Sequence, residues 1–106
     1  MLILMNSAMM PTDGDYRRRS ISRSEFAALL RAQPFRSFVG YPETAAVIEQ
    51  IAGVKVPLSR DETTLGDGDV MLVAKLKYRV GDPGRKGTLR PTADDFEFLR
   101  IDFKAD

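Results

Sequence analysis

The chain contains no cysteine and no histidine. Without cysteine there is no disulfide, no thiolate nucleophile and no cysteine-held metal. Without histidine the commonest general base and the commonest metal ligand are missing, and a Ser-His-Asp triad is excluded. Long apolar runs are missing too. Met1-Leu2-Ile3-Leu4-Met5 is apolar but short and lacks a basic lead, so a strand is expected there and not a signal peptide. No stretch is long enough to span a bilayer. There is no Gly-x-Gly-x-x-Gly and no phosphate loop with Gly-Lys-Ser/Thr. Charge of one sign is not in excess: 16 Lys and Arg face 15 Asp and Glu, a formal net charge of +1. Nothing in that total demands duplex nucleic acid or a membrane surface. Asp67, Asp69, Asp94 and Asp95 are carboxylates that a hard cation would favour, but they fall in turns, where Asp is ordinary, so neither metal nor cofactor is expected.

What is present suits one compact domain over residues 1–106, with 43% apolar residues to build its core. The chain is organised around Gly40-Tyr41-Pro42-Glu43-Thr44 and the Ala45–Gly53 stretch that follows. Pro42 fits the first position of a helix, where a missing N–H costs nothing, and Glu43 suits the positive end of the helix dipole. Ala45, Ile48, Ile51 and Ala52 then recur at helical spacing, and Gly53 is the expected left-handed stop. Gly40 is expected to turn the chain sharply into the helix. Tyr41 takes the cap position, and Tyr is not a usual cap. Either its hydroxyl meets a ligand beside the free N–H groups, since helix N-termini bind anions, or its ring packs against a strand.

The remaining elements follow in order. Met1–Met5 reads as a strand buried on both faces, central in the sheet. Asn6 and Ser7 end it, either as a polar turn or at the carboxyl edge where open α/β sheets place ligands. Asp15–Ile21 is expected as an edge strand whose three arginines alternate between faces and guard the edge. Ser22–Gln33 is a helix, with Ser22 and Glu25 as a capping box, Ile21 and Phe26 as a hydrophobic staple, and Phe26, Leu29, Leu30 and Gln33 along one face. Pro34 ends it. Phe35–Val39 is a short strand or an extended lead into the central helix, Val54–Leu58 an extended piece held at an edge by Pro57, and Ser59–Leu65 a further extended segment carrying Arg60. Gly66–Asp69 is a tight turn. Val70–Arg79 is the strongest strand, one face of which changes from Met71 and Val73 to Lys75, Lys77 and Arg79. Its carboxyl end is therefore a candidate anion site or a solvated, lysine-protected edge. Gly81–Gly87 is a basic loop, and Phe96–Phe103 a last strand. Asn6, Ser7, Tyr41, Thr44, Arg60, Lys75 and Arg79 form a spread polar set pointing weakly to a phosphate-bearing ligand.

In their order these features resemble the small viral and phage-borne anti-CRISPR ring nucleases, which degrade the cyclic tetra-adenylate of type III CRISPR systems. The parts are the strand ending in Asn6, the Tyr16–Ser22 lead into the first helix, Gly40–Ala45, Gly53–Pro57 with Arg60, Gly68-Asp69 before the long strand, and Arg79. Equal steps of 19 residues separate Tyr41 from Arg60 and Arg60 from Arg79. The resemblance implies an α/β (α+β) fold, a small mixed sheet flanked by helices, working as a homodimer that holds its ligand on a two-fold axis in the cytoplasm of a prokaryotic host. It implies ligand contacts from Asn6, Thr44, Arg60 and Arg79, with Asp82 where the family often has an acidic residue. Duplex nucleic acid and membranes are not implied partners. One departure matters: Tyr41 stands where the family has its catalytic histidine, thought to protonate the leaving 5′ oxygen while a ribose 2′ hydroxyl attacks. A phenol, with an ordinary pKa of about 10, can donate a proton at neutral pH, but less readily than an imidazolium. Loss of an efficient general acid costs roughly 10²- to 10⁴-fold. The expectation is a protein that binds the ring with slow or absent cleavage and so blunts the signal. Efficient metal-independent cleavage by Tyr41, cleavage of another cyclic nucleotide, and a dimeric interaction module without ligand are the alternatives.

Overall fold

The computed structural model describes residues 1–8, 10, 12–61, 63–77 and 91–106. The opening apolar run forms β1 (Leu2–Met5), and all four of its residues are buried. Such burial on both faces needs neighbours on both sides. β1 has them in β3 (Phe35–Phe38) and β4 (Val70–Leu76), each parallel to it. β5 (Phe96–Ala105) runs antiparallel to β4, and β2 (Gly14–Ile21) antiparallel to β5. The strand order is β2-β5-β4-β1-β3, so β1 is interior but β4 is the middle strand. β2 is an edge strand, as its arginines suggested. This is the expected mixed α/β (α+β) architecture, with one five-stranded sheet and two α-helices among the described residues.

α1 (Arg23–Ala32) begins where Ser22 Oγ accepts the Glu25 N–H at 3.1 Å. The Glu25 carboxylate faces Arg19 at 3.4 Å, where a capping box would have it reach back to Ser22. Phe26, Ala27 and Leu30 are buried, whereas Leu29 only packs at the margin and Gln33 is exposed. The buried stripe is thus rotated toward Ala27 by about half of the ~100° step between residues. α2 (Pro42–Ala52) starts at Pro42 and stops at Gly53, whose φ of 69° is left-handed. It buries Thr44, Ala45, Val47, Ile48 and Ala52, with Ile51 half-buried.

The two faces of the sheet are covered differently. Register places Leu2 and Leu4 beside Val70 and Leu72 on one face, and Ile3 and Met5 beside Met71 and Val73 on the other. Both helices pack on the first face, over Leu4, Leu72, Phe96 and Phe98. Among the described residues no helix packs on the second. There Leu65, with Ala8 and Tyr16, closes over Ile3, Met71, Val73 and Ile101. Two coil stretches therefore meet on this face, one leaving β1 through Ala8 and Thr12 and one approaching β4 through Leu65. They are tied together where the Leu65 N–H donates to Thr12 Oγ1 at 2.8 Å.

Handedness accounts for this split. β1 to β2 moves one way across the sheet, over the coil-covered face. β2 to β3 moves the other way over the helical face. After α2 the chain pairs outside β3, where Leu58 bridges Val39 in parallel, and it then returns over the coil-covered face to β4. Reversing both direction and face preserves the hand, so every parallel crossover has the same one, as twisted strands require.

Candidate site at the carboxyl ends of the parallel strands

β1 and β3 are neighbours whose outgoing chains part to opposite faces: after Met5 the chain brings Ala8 to the coil-covered face, and Gly40 leads into α2 on the helical face. Such a parting opens a crevice beyond the strand ends, the place where α/β sheets hold ligands. Here it forms two adjoining hollows of about 910 and 440 Å³, both lined by Asn6, Ser7 and Tyr41. The larger extends past Gly40, Ser59 and Arg60 and down β3 to Phe38 and Arg36. The smaller lies between Thr44 and the end of β4, with Lys75, Leu76 and Lys77.

Each polar group is held by the fold. Asn6 Oδ1 accepts the Gly40 N–H at 3.3 Å, across the ends of β1 and β3. Because that partner is a donor, the amide oxygen must face it, and the NH₂ end is left for the hollows. Gly40 C=O in turn accepts from Arg60 Nε at 3.3 Å. Arg60 is brought there by a chain of restraints after α2. The Glu49 carboxylate accepts the Val56 N–H at 2.8 Å. Ser37 Oγ donates to Pro57 C=O at 2.6 Å, and the Ser59 N–H donates to Val39 C=O at 2.9 Å. With Nε engaged, the two terminal nitrogens of the Arg60 fork have no partner among the described residues. The guanidinium lies 5.7 Å from the centre of the Tyr41 ring, a cation–π contact.

Tyr41 is half exposed and makes no side-chain bond to the helix it precedes. Pro42 has no N–H, and the Ala45 N–H is taken by Tyr41 C=O at 3.1 Å. The backbone N–H groups of Glu43 and Thr44 belong to the positive end of the helix dipole, and of these two residues Thr44 lines the smaller hollow. Thr44 itself is buried. Glu43 lines a separate depression with Ala46 and Gln50, so its carboxylate is not part of the crevice.

Gly40 is needed for a different reason from the expected sharp turn. Its φ is not positive, but a Cβ there would lie 3.2 Å from Arg60 Cγ. The expectation for β4 holds in pattern: Met71 and Val73 are fully buried, and Lys75 on the same face is exposed. Lys75 Nζ stands 3.8 Å from Glu97, and Lys77 Nζ donates to Asp94 C=O at 3.0 Å.

The structure thus brings together Asn6, Ser7, Tyr41, Thr44, Arg60 and Lys75 from four segments. Tyr78, Arg79, Asp82 and the Gly81–Gly87 loop lie outside the described residues. Sequence reasoning missed Arg36, Phe38, Ser59 and Asp61 as lining residues. Period two on a short strand would have put Arg36 and Phe38 on one face, but nothing local says that this face borders a crevice. No group of three or more acidic residues among those described is placed to hold a metal ion, and no described helix is long and apolar enough to cross a membrane.

Comparison with known proteins agrees with this architecture. The chain is 31% identical over 101 residues to uncharacterized protein 26 of Sulfolobus islandicus filamentous virus (isolate Iceland/Hveragerdi), covering 92% of this chain and 82% of the relative. Its fold matches that of B116 of Sulfolobus turreted icosahedral virus with a TM-score of 0.76 at 12% identity, over 94% of this chain and 97% of the other. Both relatives are viral. The STIV B116-like family model matches residues 2–103, and the chain belongs to that family.

Proposed function

We propose that this protein binds a cyclic oligoadenylate, cyclic tetra-adenylate above all, and blunts type III CRISPR signalling by holding the ring with slow or no cleavage. The observation that supports this reading is the convergence of Asn6, Ser7, Tyr41, Thr44, Arg60 and Lys75 on one crevice at the strand ends. The groups are of the right kind for phosphodiesters: an open guanidinium fork, lysines, an amide NH₂ and free N–H groups at a helix start. A symmetric ring is best met by a symmetric pair of protomers, so the working unit is a homodimer that places two such crevices about one two-fold axis.

Cleavage in this site needs a ribose 2′ hydroxyl in line with the scissile phosphate and a proton donor at the leaving oxygen. Arg60 supplies charge to the phosphate, and the Tyr41 hydroxyl is the available donor. A phenol is a weaker general acid than an imidazolium, which is why sequestration is favoured over turnover. Incubation with cyclic tetra-adenylate followed by chromatography separates the readings. Tight binding with little linear product is the expected result. Rapid linear product makes the protein an efficient ring nuclease acting through Tyr41. Absence of binding to any cyclic oligonucleotide leaves a dimeric interaction module. If Tyr41 is what slows the reaction, Tyr41→His raises single-turnover cleavage by roughly 10²-fold or more. An unchanged rate removes Tyr41 from the leaving-group position.

A further inference from the structure

The larger hollow does not end at the strand termini. It continues along the outer parallel strand to Arg36, on the coil-covered side of the sheet, since Arg36 is in register with Ile3 and Phe38 with Met5. The Arg36 guanidinium lies 5.3 Å from the centre of the Phe38 ring. The Arg60–Tyr41 pair repeats the arrangement on another wall of the same hollow. Neither arginine has a carboxylate within ion-pair distance among the described residues. Two exposed guanidinium groups, each laid over an aromatic ring, thus line one hollow, and such contacts hold a guanidinium plane in place while leaving its other face open.

We propose that Arg36 and Phe38 form a stacking platform for a nucleobase of the bound oligonucleotide, while Arg60 serves the phosphate next to it. This rests on the reading of the crevice as a cyclic oligoadenylate site and adds the part that recognises the base. The planar guanidinium, backed by Phe38, offers its outer face to a π-system, and such stacking tolerates any base while strengthening with purines. The hollow is large enough for this. Its volume of about 910 Å³ is near the top of the range for small-molecule sites, roughly 300–1,000 Å³. The division of labour follows position. Arg60 sits with Gly40 and Asn6 at the strand ends, whereas Arg36 lies four residues back from Gly40, about 13 Å along an extended strand. That is beyond one phosphate and within reach of the base attached to it.

The test uses the full chain and three proteins: wild type, Arg36→Ala and Arg36→Lys, titrated with cyclic tetra-adenylate by calorimetry, with thermal unfolding as the control for folding. Arg36 is exposed, so all three are expected to unfold within a few degrees of one another. Stacking predicts that Arg36→Ala weakens binding by about 5- to 50-fold and that Arg36→Lys recovers little of it, because an ammonium keeps the charge but not the plane. Affinity of Arg36→Ala within twofold of wild type overturns the platform. So does full recovery by Arg36→Lys, which makes Arg36 a plain phosphate contact. Wild type that fails to bind cyclic tetra-adenylate overturns the cyclic oligoadenylate reading, and the platform with it.

Discussion

The two halves of the sheet are built to different rules. The half made of β3, β1 and β4 is parallel and short-stranded, with β1 buried throughout, and every connection must travel across a face to come back. The half made of β5 and β2 is antiparallel and long, eight to ten residues per strand, and carries its arginines outward along an open edge. The polar groups that matter gather only on the first. Parallel strands end at the same side, so their exits collect there. When two neighbours leave toward opposite faces, their polar turns face each other across a gap. Antiparallel strands share their ends with their neighbours' starts, and along β2 Arg17 and Arg19 fall on one face and Arg18 on the other. A basic cluster in sequence is dispersed, and residues 54 positions apart, Asn6 and Arg60, are joined through Gly40.

The largest contrast should be in stability. Leu4 is fully buried at the join of β1 with both parallel neighbours, on the face that receives the helices. Leu4→Ala removes its contacts and leaves a cavity that strands hydrogen-bonded on both sides cannot close, so a loss of about 2–5 kcal/mol is expected in urea denaturation. Arg18→Ala, on the open edge strand, is expected to stay within about 0.5 kcal/mol. Comparable losses at the two positions would mean that the parallel half is not the stability-bearing part of the sheet.

Next in size is the contrast in ligand affinity. Arg60→Ala removes the open guanidinium fork from the crevice. Hydrogen bonds to charged groups contribute about 1.5–3 kcal/mol each, so cyclic tetra-adenylate should bind roughly 10- to 100-fold more weakly. The side chain is exposed, and folding stability should change little. Arg18→Ala should leave affinity unchanged, since β5 lies between β2 and β4, the nearest strand that lines the crevice, and Arg18 lines neither hollow. If both substitutions weaken binding alike, the ligand is attracted by overall charge and the crevice has no special standing.

Much of this was legible before any coordinates, and the limit is physical. Elements with their cause in neighbouring residues could be read directly: β1 from its unbroken apolar run, α1 from Ser22 and Pro34, α2 from Pro42 and Gly53, and β2 from its arginines. So could the core of the site, because a helix start and two strand ends are local features. What could not be read depends on pairing. Leu29 looks as apolar as Leu30, and only the packing of α1 turns Ala27 inward instead. Leu65 sits in a polar stretch and reads as loop, yet it is a plug for the face without helices. Arg36 belongs to a four-residue strand whose partner, Ile3, lies 33 positions earlier, and no periodicity reports that. Gly40 was rightly singled out, but its reason is a neighbour brought in from residue 60 and not a backbone angle.

The smallest effect sharpens the comparison most, because it concerns a single methyl group. Gly40 has no left-handed φ, so Ala can take its backbone without strain, and the fold should lose less than about 1 kcal/mol. The new Cβ would lie 3.2 Å from Arg60 Cγ and 3.7 Å from Arg60 Nε. The near atom belongs to the base of the side chain, so relief requires the whole guanidinium to move. That move disturbs both its bond to Gly40 C=O and its place over Tyr41. Gly40→Ala is therefore expected to weaken ring binding by about 2- to 5-fold in calorimetric titration, through Arg60 alone. A double-mutant cycle isolates this. In an Arg60→Ala background nothing is left to displace, and adding Gly40→Ala should then change affinity by less than about 1.5-fold. A full, additive loss in that background would place the ligand against the Gly40 backbone itself, and the glycine would be there to admit the ligand and not to seat the arginine.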